Sequence, residues 1–464
     1  MSSSISVEQA ERIDCFAKRI MKERKMSGVS VGILYHGQIN YQTYGKTERN
    51  GSQVTKGTYF KIGSISKSFT AYAIYLLQTQ GKLRADDYVT QYIPQFHVET
   101  NNIRKRDTAK EVKAITINHL LHHTSGIPAS TIGLINTNQR KDTFFHLVKE
   151  LRHVELESFP GERYQYATTN YDILGYIIEK ISGMVYQEFI EKEVLKPFGL
   201  AGVVLDKNLI KDELAYGHKR GFGHSYRYIE QDFHANVPAG EFYANMSGLM
   251  KWIEIQMNSE KISGGCLEAV EQTHQADETV KPENRYYYAG GWKVKINRER
   301  IEHGGKNPSY SCYAIMNMSQ NIAVCVMTNM NSEGAYELAN NIMNFLLNLK
   351  TRKKKAKALE KVNAVTGMVS VFLWIVLAIM IVLLRRMMLH AVVIKIMVSA
   401  FGGLFGCGLL CIGVYNCFLK RKMKYHPVRM CFLWCSKSVI WCVIQLMAIC
   451  FCCFWGIIEH LLSL

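Results

Sequence analysis

Ser64 and Lys67 lie three residues apart, where a short apolar stretch gives way to a helix-forming one. They sit in the run Phe60-Lys-Ile-Gly-Ser64-Ile-Ser-Lys67, and the helix-forming stretch runs from Ala71 to Gln80. A free serine hydroxyl is a weak nucleophile until a neighbouring group takes its proton. At the start of a helix, a serine has its backbone N–H exposed over the positive end of the helix dipole. Residues three apart share a helix face, so the amine of Lys67 can reach the hydroxyl of Ser64. That is the geometry an acylating serine needs. Taken alone, Ser-x-x-Lys more often marks a solvated helix start than a catalytic site. Its weight comes from the residues around it.

Val29-Ser-Val-Gly-Ile-Leu-Tyr-His-Gly37 precedes the pair and reads as a strand and turn. Gly81-Lys-Leu, Asp86-Asp87 and Tyr92-Ile-Pro94 follow it, then Ile115-Thr-Ile-Asn-His-Leu-Leu-His-His-Thr-Ser-Gly-Ile-Pro128. Pro160-Gly161 leads to Tyr164-Gln-Tyr166-Ala-Thr168, and Pro238-Ala-Gly240, Trp252, Gly290-Gly-Trp292 and His303-Gly304-Gly305 close the series. In this order and spacing the chain resembles the class C β-lactamase and D-alanyl-D-alanine peptidase superfamily of serine hydrolases, over about residues 10 to 350.

The resemblance implies roles. Ser64 would be the nucleophile, and Lys67 would orient it and help deprotonate it. Tyr166 matches the tyrosine of the family's Tyr-x-Asn element, general base and then acid to the leaving amine. His303, Gly304 and Gly305 match the Lys/His-x-Gly strand that lines the pocket. The backbone N–H groups of Ser64 and Lys306 would form the oxyanion hole, whose donors each typically matter by two to three orders of magnitude in rate.

The chain departs from the family pattern twice. Thr168 stands where Tyr-x-Asn ends, which replaces an amide that usually binds the substrate's acylamide carbonyl with a shorter hydroxyl. Gly248 stands where an Asp is usual, and we read it as a lost cap or surface contact. No carboxylate is placed as a deacylating base, so Tyr166 would serve both steps, and no protease-type His-Asp pair is needed.

Other residues have plainer readings. His119, His122 and His123 cluster as metal ligands do, but they lie in the run that matches the family's structural His-Thr-Ser-Gly loop. Tyr72, Tyr75, Leu76 and Leu77 read as core packing behind the Ser64 helix. No G-x-x-x-x-G-K-S/T phosphate loop occurs. We expect no metal and no cofactor.

The front of the chain shows strands, then a long helical middle, then strands again at 311–317 and 322–328 and an amphipathic helix at about 335–349. First and last strands can pair into one sheet. The expected fold is α+β: an antiparallel sheet flanked by helices plus a helical lobe, followed by three transmembrane helices. The expected domains are a hydrolase domain over 1–350, a basic neck over 351–362 and a membrane domain over 363–464.

The membrane reading rests on three uncharged apolar segments, 365–384, 396–419 and 438–458. Each is long enough to cross about 30 Å of hydrocarbon as a helix. The net charge of +17 belongs mostly to this tail: residues 351–464 hold 15 Lys and Arg against 2 Asp and Glu, leaving +4 for the first 350 residues. The basic run Arg352–Lys357 is therefore a membrane flank, and nucleic acid is excluded as a partner. Nine of the 13 cysteines also lie in the tail, which suggests no disulfide framework. The lipid bilayer and a small-molecule or peptide substrate are the expected partners, and no protein partner is inferred.

Met1 to Arg24 has no apolar core of a secretory signal. Positive charge at the neck and in Lys420-Arg-Lys-Met-Lys424 favours a cytoplasmic catalytic domain. The resemblance favours the outer face, so the face stays undecided. Three C-terminal spans on this hydrolase pattern look like the membrane-bound peptidases that remove an N-acyl-D-asparagine group from antibiotic or toxin precursors. In those relatives the position of Thr168 can carry a small hydroxyl. An esterase, a β-lactamase or a D-alanyl carboxypeptidase are the enzymatic alternatives. A penicillin-binding sensor or scaffold is the alternative outside catalysis.

Overall fold

The computed structural model describes residues 4–351 apart from 49–50, 108–113, 136–140, 222–223 and 258–264, with six isolated positions beyond (371, 372, 374, 375, 379 and 445). The basic neck from residue 352 and the three apolar segments fall outside the described residues except at those six positions. Among the described residues no helix is long and apolar enough to cross a membrane. Residues 1–218 and 227–353 form one compact unit. The second unit comprises 219–226 and 354–464.

The first and last strands do pair. β1 (Gly28–Tyr35) turns into β2 (Gln38–Gly45) through His36 and Gly37, at φ 48° and 88°. A two-residue hairpin whose twist matches its strands needs positive φ at both positions, and glycine takes the second at no cost. Near the other end of the compact unit come β3 (Tyr286–Tyr288), β4 (Lys293–Lys295), β5 (Arg300–Lys306), β6 (Ser311–Asn317) and β7 (Ile322–Thr328). The seven strands run in the order β2-β1-β7-β6-β5-β4-β3, and Val29 of β1 sits opposite Thr328 of β7. Every pair is antiparallel.

Two helices cover one face of this sheet. The charged N-terminal segment is helix α1 (Val7–Arg24), started by a capping box in which Ser6 Oγ accepts from Gln9 N and Ser6 N donates to Gln9 Oε1. Its Ile13, Phe16, Ala17 and Ile20 repeat at helical spacing and are buried against Val29, Val31, Val324 and Val326. The C-terminal helix α5 (Gly334–Leu346) lies beside it, and buried Arg24 and Glu337 join the two at 2.7 Å.

The other face carries the helical lobe. Helix α4 (Met246–Met257) crosses β1 at Gly32, where a Cβ would come within 2.4 Å of Met250 Cγ. Trp252 of α4 stacks on Phe69 of helix α2 (Ser66–Thr79) at 4.4 Å and donates from Nε1 to Ser68 Oγ at 2.9 Å. The surface-contact reading of Gly248 fails here. Gly248 is buried, and a Cβ on it would lie 2.4 Å from the carbonyl carbon of Gly202. The residue is small because two backbones cross, and Asn245 Oδ1 accepts its N–H at 2.8 Å.

Candidate active site

Ser64 stands in a short 3₁₀ turn, Gly63–Ile65, that leads straight into α2. The helix thus begins beside the serine, at Ser66, and Lys67 lies in its first turn. Lys67 is fully buried. Its Nζ donates to Ser64 Oγ at 3.3 Å, to Thr168 Oγ1 at 3.1 Å and to the carbonyl of Ala239 at 2.6 Å. An ammonium has three hydrogens, and here each has an acceptor. All three acceptors are neutral oxygens.

Tyr166 arrives from a different part of the chain, just ahead of helix α3 (Thr169–Ser182). Its hydroxyl donates to Ser64 Oγ at 2.9 Å. The Lys67 ammonium lies 5.2 Å from the centre of its ring. Ser64, Lys67 and Tyr166 therefore meet at one oxygen. Thr168 does not stand free: it takes a hydrogen from Lys67 and turns its own hydroxyl towards Asn236 Oδ1 at 3.4 Å.

An aromatic cage holds Tyr166 in place. The His123 ring is 4.3 Å from it, and His123 Nδ1 accepts from Asn170 Nδ2 at 3.0 Å. Asn170 is held in turn by Ser125 Oγ at 2.8 Å. The histidine run thus serves three separate tasks, because His119 Nδ1 accepts from Thr116 N and His122 Nδ1 meets the Tyr288 carbonyl. Burial, reinforced by the positive charge of Lys67, holds His123 well below the ordinary histidine range. Burial likewise pushes the phenols of Tyr164, Tyr171 and Tyr288 up, so they keep their protons at neutral pH.

His303 sits behind this cage. It is 3 % exposed, and both ring nitrogens are engaged, Nε2 by Tyr288 OH at 3.0 Å and Nδ1 by the Gly304 carbonyl at 2.9 Å. Burial first, then the charges of Lys293 and Lys67, push it well below the ordinary range. It is a neutral imidazole supporting Tyr288, with its ring 6.2 Å from that of Tyr166.

Gly304, Gly305 and Lys306 end β5 beside the nucleophile turn. Gly63 adopts φ 55°, and a Cβ there would stand 2.6 Å from Lys306 N. A Cβ on Gly305 would overlap the Ile62 carbonyl at 1.8 Å. Glycine at both positions lets backbone touch backbone, which places the Lys306 N–H next to the Ser64 turn.

Below the turn lies a charged cluster. Lys61, 1 % exposed, meets Glu241 at 2.5 Å and Glu230 at 3.0 Å. Glu230 also accepts from Ser309 N and Oγ, and Asn307 Nδ2 donates to the Gly240 carbonyl at 3.0 Å. Asp172, on α3, is fully buried with neither carboxyl oxygen hydrogen-bonded among the described residues. Burial pushes it well above the usual carboxylate range against the pull of Lys67.

The Beta-lactamase family model matches residues 13–347. The chain belongs to this family of serine hydrolases. Protein flp of Staphylococcus aureus (strain MRSA252) is 25 % identical over 376 residues, 79 % of this chain and 72 % of that one. The octameric penicillin-binding protein homologue from Pyrococcus abyssi is similar with a TM-score of 0.63 at 25 % identity, covering 74 % of this chain and 78 % of its own. The Beta-Lactamase/D-Alanine Carboxypeptidase from Pseudomonas syringae shares the fold, with a TM-score of 0.61 at 17 % identity over 73 % of this chain and 99 % of its own.

Within this Beta-lactamase-family site, several contributors escaped the sequence reading. The Ala239 carbonyl, the Asn170 amide and Asn236 carry no signal as residue types. Their roles come from where Pro238-Ala-Gly240 and the first turn of α3 pass Lys67. His123 gave a signal, its place beside Thr124-Ser125-Gly126, but not the ring contact with Tyr166.

Proposed function

We propose that this chain is a membrane-anchored serine hydrolase that forms an acyl-enzyme on Ser64, a peptidase or amidase acting on peptides that contain D-amino acids. One observation carries the catalytic part: Ser64 Oγ is 3.3 Å from Lys67 Nζ and 2.9 Å from Tyr166 OH. In acylation, Tyr166 first gives up the proton it lends to Ser64 Oγ in the resting site; Ser64 Oγ then attacks the scissile carbonyl carbon and its own proton passes to the Tyr166 oxygen, with the Lys67 ammonium beside the ring offsetting the negative charge. The carbonyl oxygen becomes an oxyanion facing the N–H groups of Ser64 and Lys306. Tyr166 returns the proton to the leaving amine as the C–N bond breaks. Water then attacks the ester and Tyr166 takes its proton; Tyr166 returns that proton to Ser64 Oγ as the ester C–O bond breaks, and the product acid leaves as a carboxylate, its carboxyl proton passing to solvent.

The substrate class, N-acyl-D-Asn precursors or wall peptides, is supported by Thr168 and by the three apolar segments together. Those segments also support anchoring in the cell membrane, the substrate and the bilayer being the two partners.

Labelling with a fluorophosphonate and a fluorescent penicillin, in wild type and Ser64→Ala, tests the acyl-enzyme. Label that appears and is then released in wild type, and is absent in the variant, is the expected result. Stable penicillin label with no turnover favours a sensor, and no label at all a scaffold. An N-acyl-D-Asn peptide cleaved faster than its L counterpart supports the substrate class, and equal or absent cleavage of both removes it. Protein washed from membranes by carbonate would remove the anchoring.

A further inference from the structure

Four consecutive residues, Ala239 to Phe242, hold the nucleophile turn from one side. The Ala239 carbonyl accepts from Lys67 Nζ at 2.6 Å, and the Glu241 carboxylate meets Lys61. The Phe242 carbonyl accepts from Ile62 N at 3.0 Å, and Phe242 N donates to Ser66 Oγ at 3.2 Å. The Gly240 carbonyl bonds across to the other side of the site. It accepts from Asn307 Nδ2 at 3.0 Å, and the same Nδ2 lies 3.4 Å from Glu241 Oε1. Asn307 directly follows Lys306, so its carboxamide joins the end of β5 to the segment that holds Lys67.

That bond has leverage because its acceptor is a glycine. Without a Cβ, φ and ψ at residue 240 are weakly restricted, and the direction of its carbonyl is set by what it bonds. The Ala239 carbonyl, one peptide unit away, depends on the same stretch of backbone. The other end of the carboxamide argues against a merely stabilising role. Asn307 is 5 % exposed, and its Oδ1 has no hydrogen-bond partner among the described residues. That oxygen lies against the nucleophile turn, where a Cβ on Gly63 would stand 2.9 Å from it. A buried acceptor without a donor costs stability, yet the amide stands where β5, the Ser64 turn and Gly240 meet.

We propose that Asn307 is a positioning residue for the acylation of Ser64. Its bond to Gly240 sets the Lys306 N–H in register with the segment that orients Lys67. Activation of the nucleophile and stabilisation of the oxyanion then act on the same carbonyl. This deepens the Ser64 acyl-enzyme of the preceding section and rests on it.

The test follows Ser64 labelling by a fluorophosphonate over a range of probe concentrations, which separates the rate at saturation from the concentration that half-saturates. Asn307→Ala removes the carboxamide, and Asn307→Asp keeps its shape but turns an oxygen towards Gly240 and Glu241. In both, the saturating rate falls ~10–100-fold while the half-saturating concentration stays within ~3-fold of wild type. Adding Glu241→Gln to Asn307→Asp restores a donor facing an acceptor, with the direction reversed, and recovers ~3–10-fold of the rate. Saturating rates within ~3-fold of wild type in both single variants, a change in half-saturation alone, or a double variant no faster than Asn307→Asp overturns the inference and leaves the acyl-enzyme intact. Loss of cooperative urea unfolding in both single variants overturns it too, by placing Asn307 among the residues that hold the fold. A wild type that takes no fluorophosphonate overturns the hydrolase reading, and this inference with it.

Discussion

Lys61 and Lys67 are six residues apart, and both are buried, at 1 % and 0 % exposure. Their partners differ in kind. Lys61 is clamped between two carboxylates, those of Glu241 and Glu230. Lys67 faces a serine hydroxyl, a threonine hydroxyl and a backbone carbonyl. An ammonium held by carboxylates is locked in its charge and ties elements together. One held only by neutral oxygens can lend its charge to whatever negative group forms nearby. Burial of a lysine does not mark chemistry; the charge of its neighbours does.

Replacing each lysine by methionine should break the pair in opposite ways. For Lys67→Met the loss is in rate: Ser64 labelling falls by ~10³-fold or more, because nucleophile activation and its charge support go together. Fold stability changes by only ~1–2 kcal/mol, since the partners left behind are neutral. Stability near wild type with labelling also near wild type would move activation to Tyr166 alone. For Lys61→Met, measured above pH 7 where Glu241 is ionised, the loss is in stability, ~3–5 kcal/mol, because two buried carboxylates are left without a counter-charge. A urea titration reads it, and a loss under ~1 kcal/mol would mean the clamp is slack. Adding Glu241→Gln to Lys61→Met should recover part of the loss.

Tyr166→Phe sharpens the contrast on the rate side. It keeps the ring against His123 and Lys67 and removes only the hydroxyl on Ser64. Acylation should slow by about two orders of magnitude. Near-normal rates would assign the base to Lys67, and the His123 cage would then be plain packing.

The division between legible and hidden follows the range of the interactions. Ser64 and Lys67 were legible because three-residue spacing on a helix is local geometry. The strands 311–317 and 322–328 were legible because a short apolar run is local too, and 322–328 is buried along its whole length. Tyr166 was found through resemblance, since nothing in Tyr-x-Thr by itself directs a phenol to a serine 102 positions earlier. Lys61 left no trace at all: a lysine in the two-residue strand Phe60–Lys61 reads as exposed until Glu241 and Glu230 are brought to it. Gly248 misled for the same reason, because its crossing partner Gly202 lies far away in sequence. In α1 the packing is set by four apolar residues, Ile13, Phe16, Ala17 and Ile20, at helical spacing.

The smallest expected effect concerns the clamp alone, through pH. Burial pushes Glu241 up to about 7, against the pull of Lys61 and with the charge of Glu230 adding to it. Tyr243 and Asp232 face the same cluster. Because the folded-state value lies above the ordinary glutamate value of 4.5, the native state holds a proton that the unfolded chain releases between about pH 4.5 and 7. The stabilisation from this group is complete below about 4.5 and is lost as pH rises through 7. Lys61, raised above its ordinary value, stays charged over the whole window and adds no slope there. All other groups are common to wild type and Glu241→Gln, so the difference between their urea stabilities isolates Glu241. That difference, wild type minus variant, should fall by ~3 kcal/mol between pH 4.5 and 7.5. Parallel curves would mean that Glu241 is ionised throughout, and that Lys61 lies between two full negative charges.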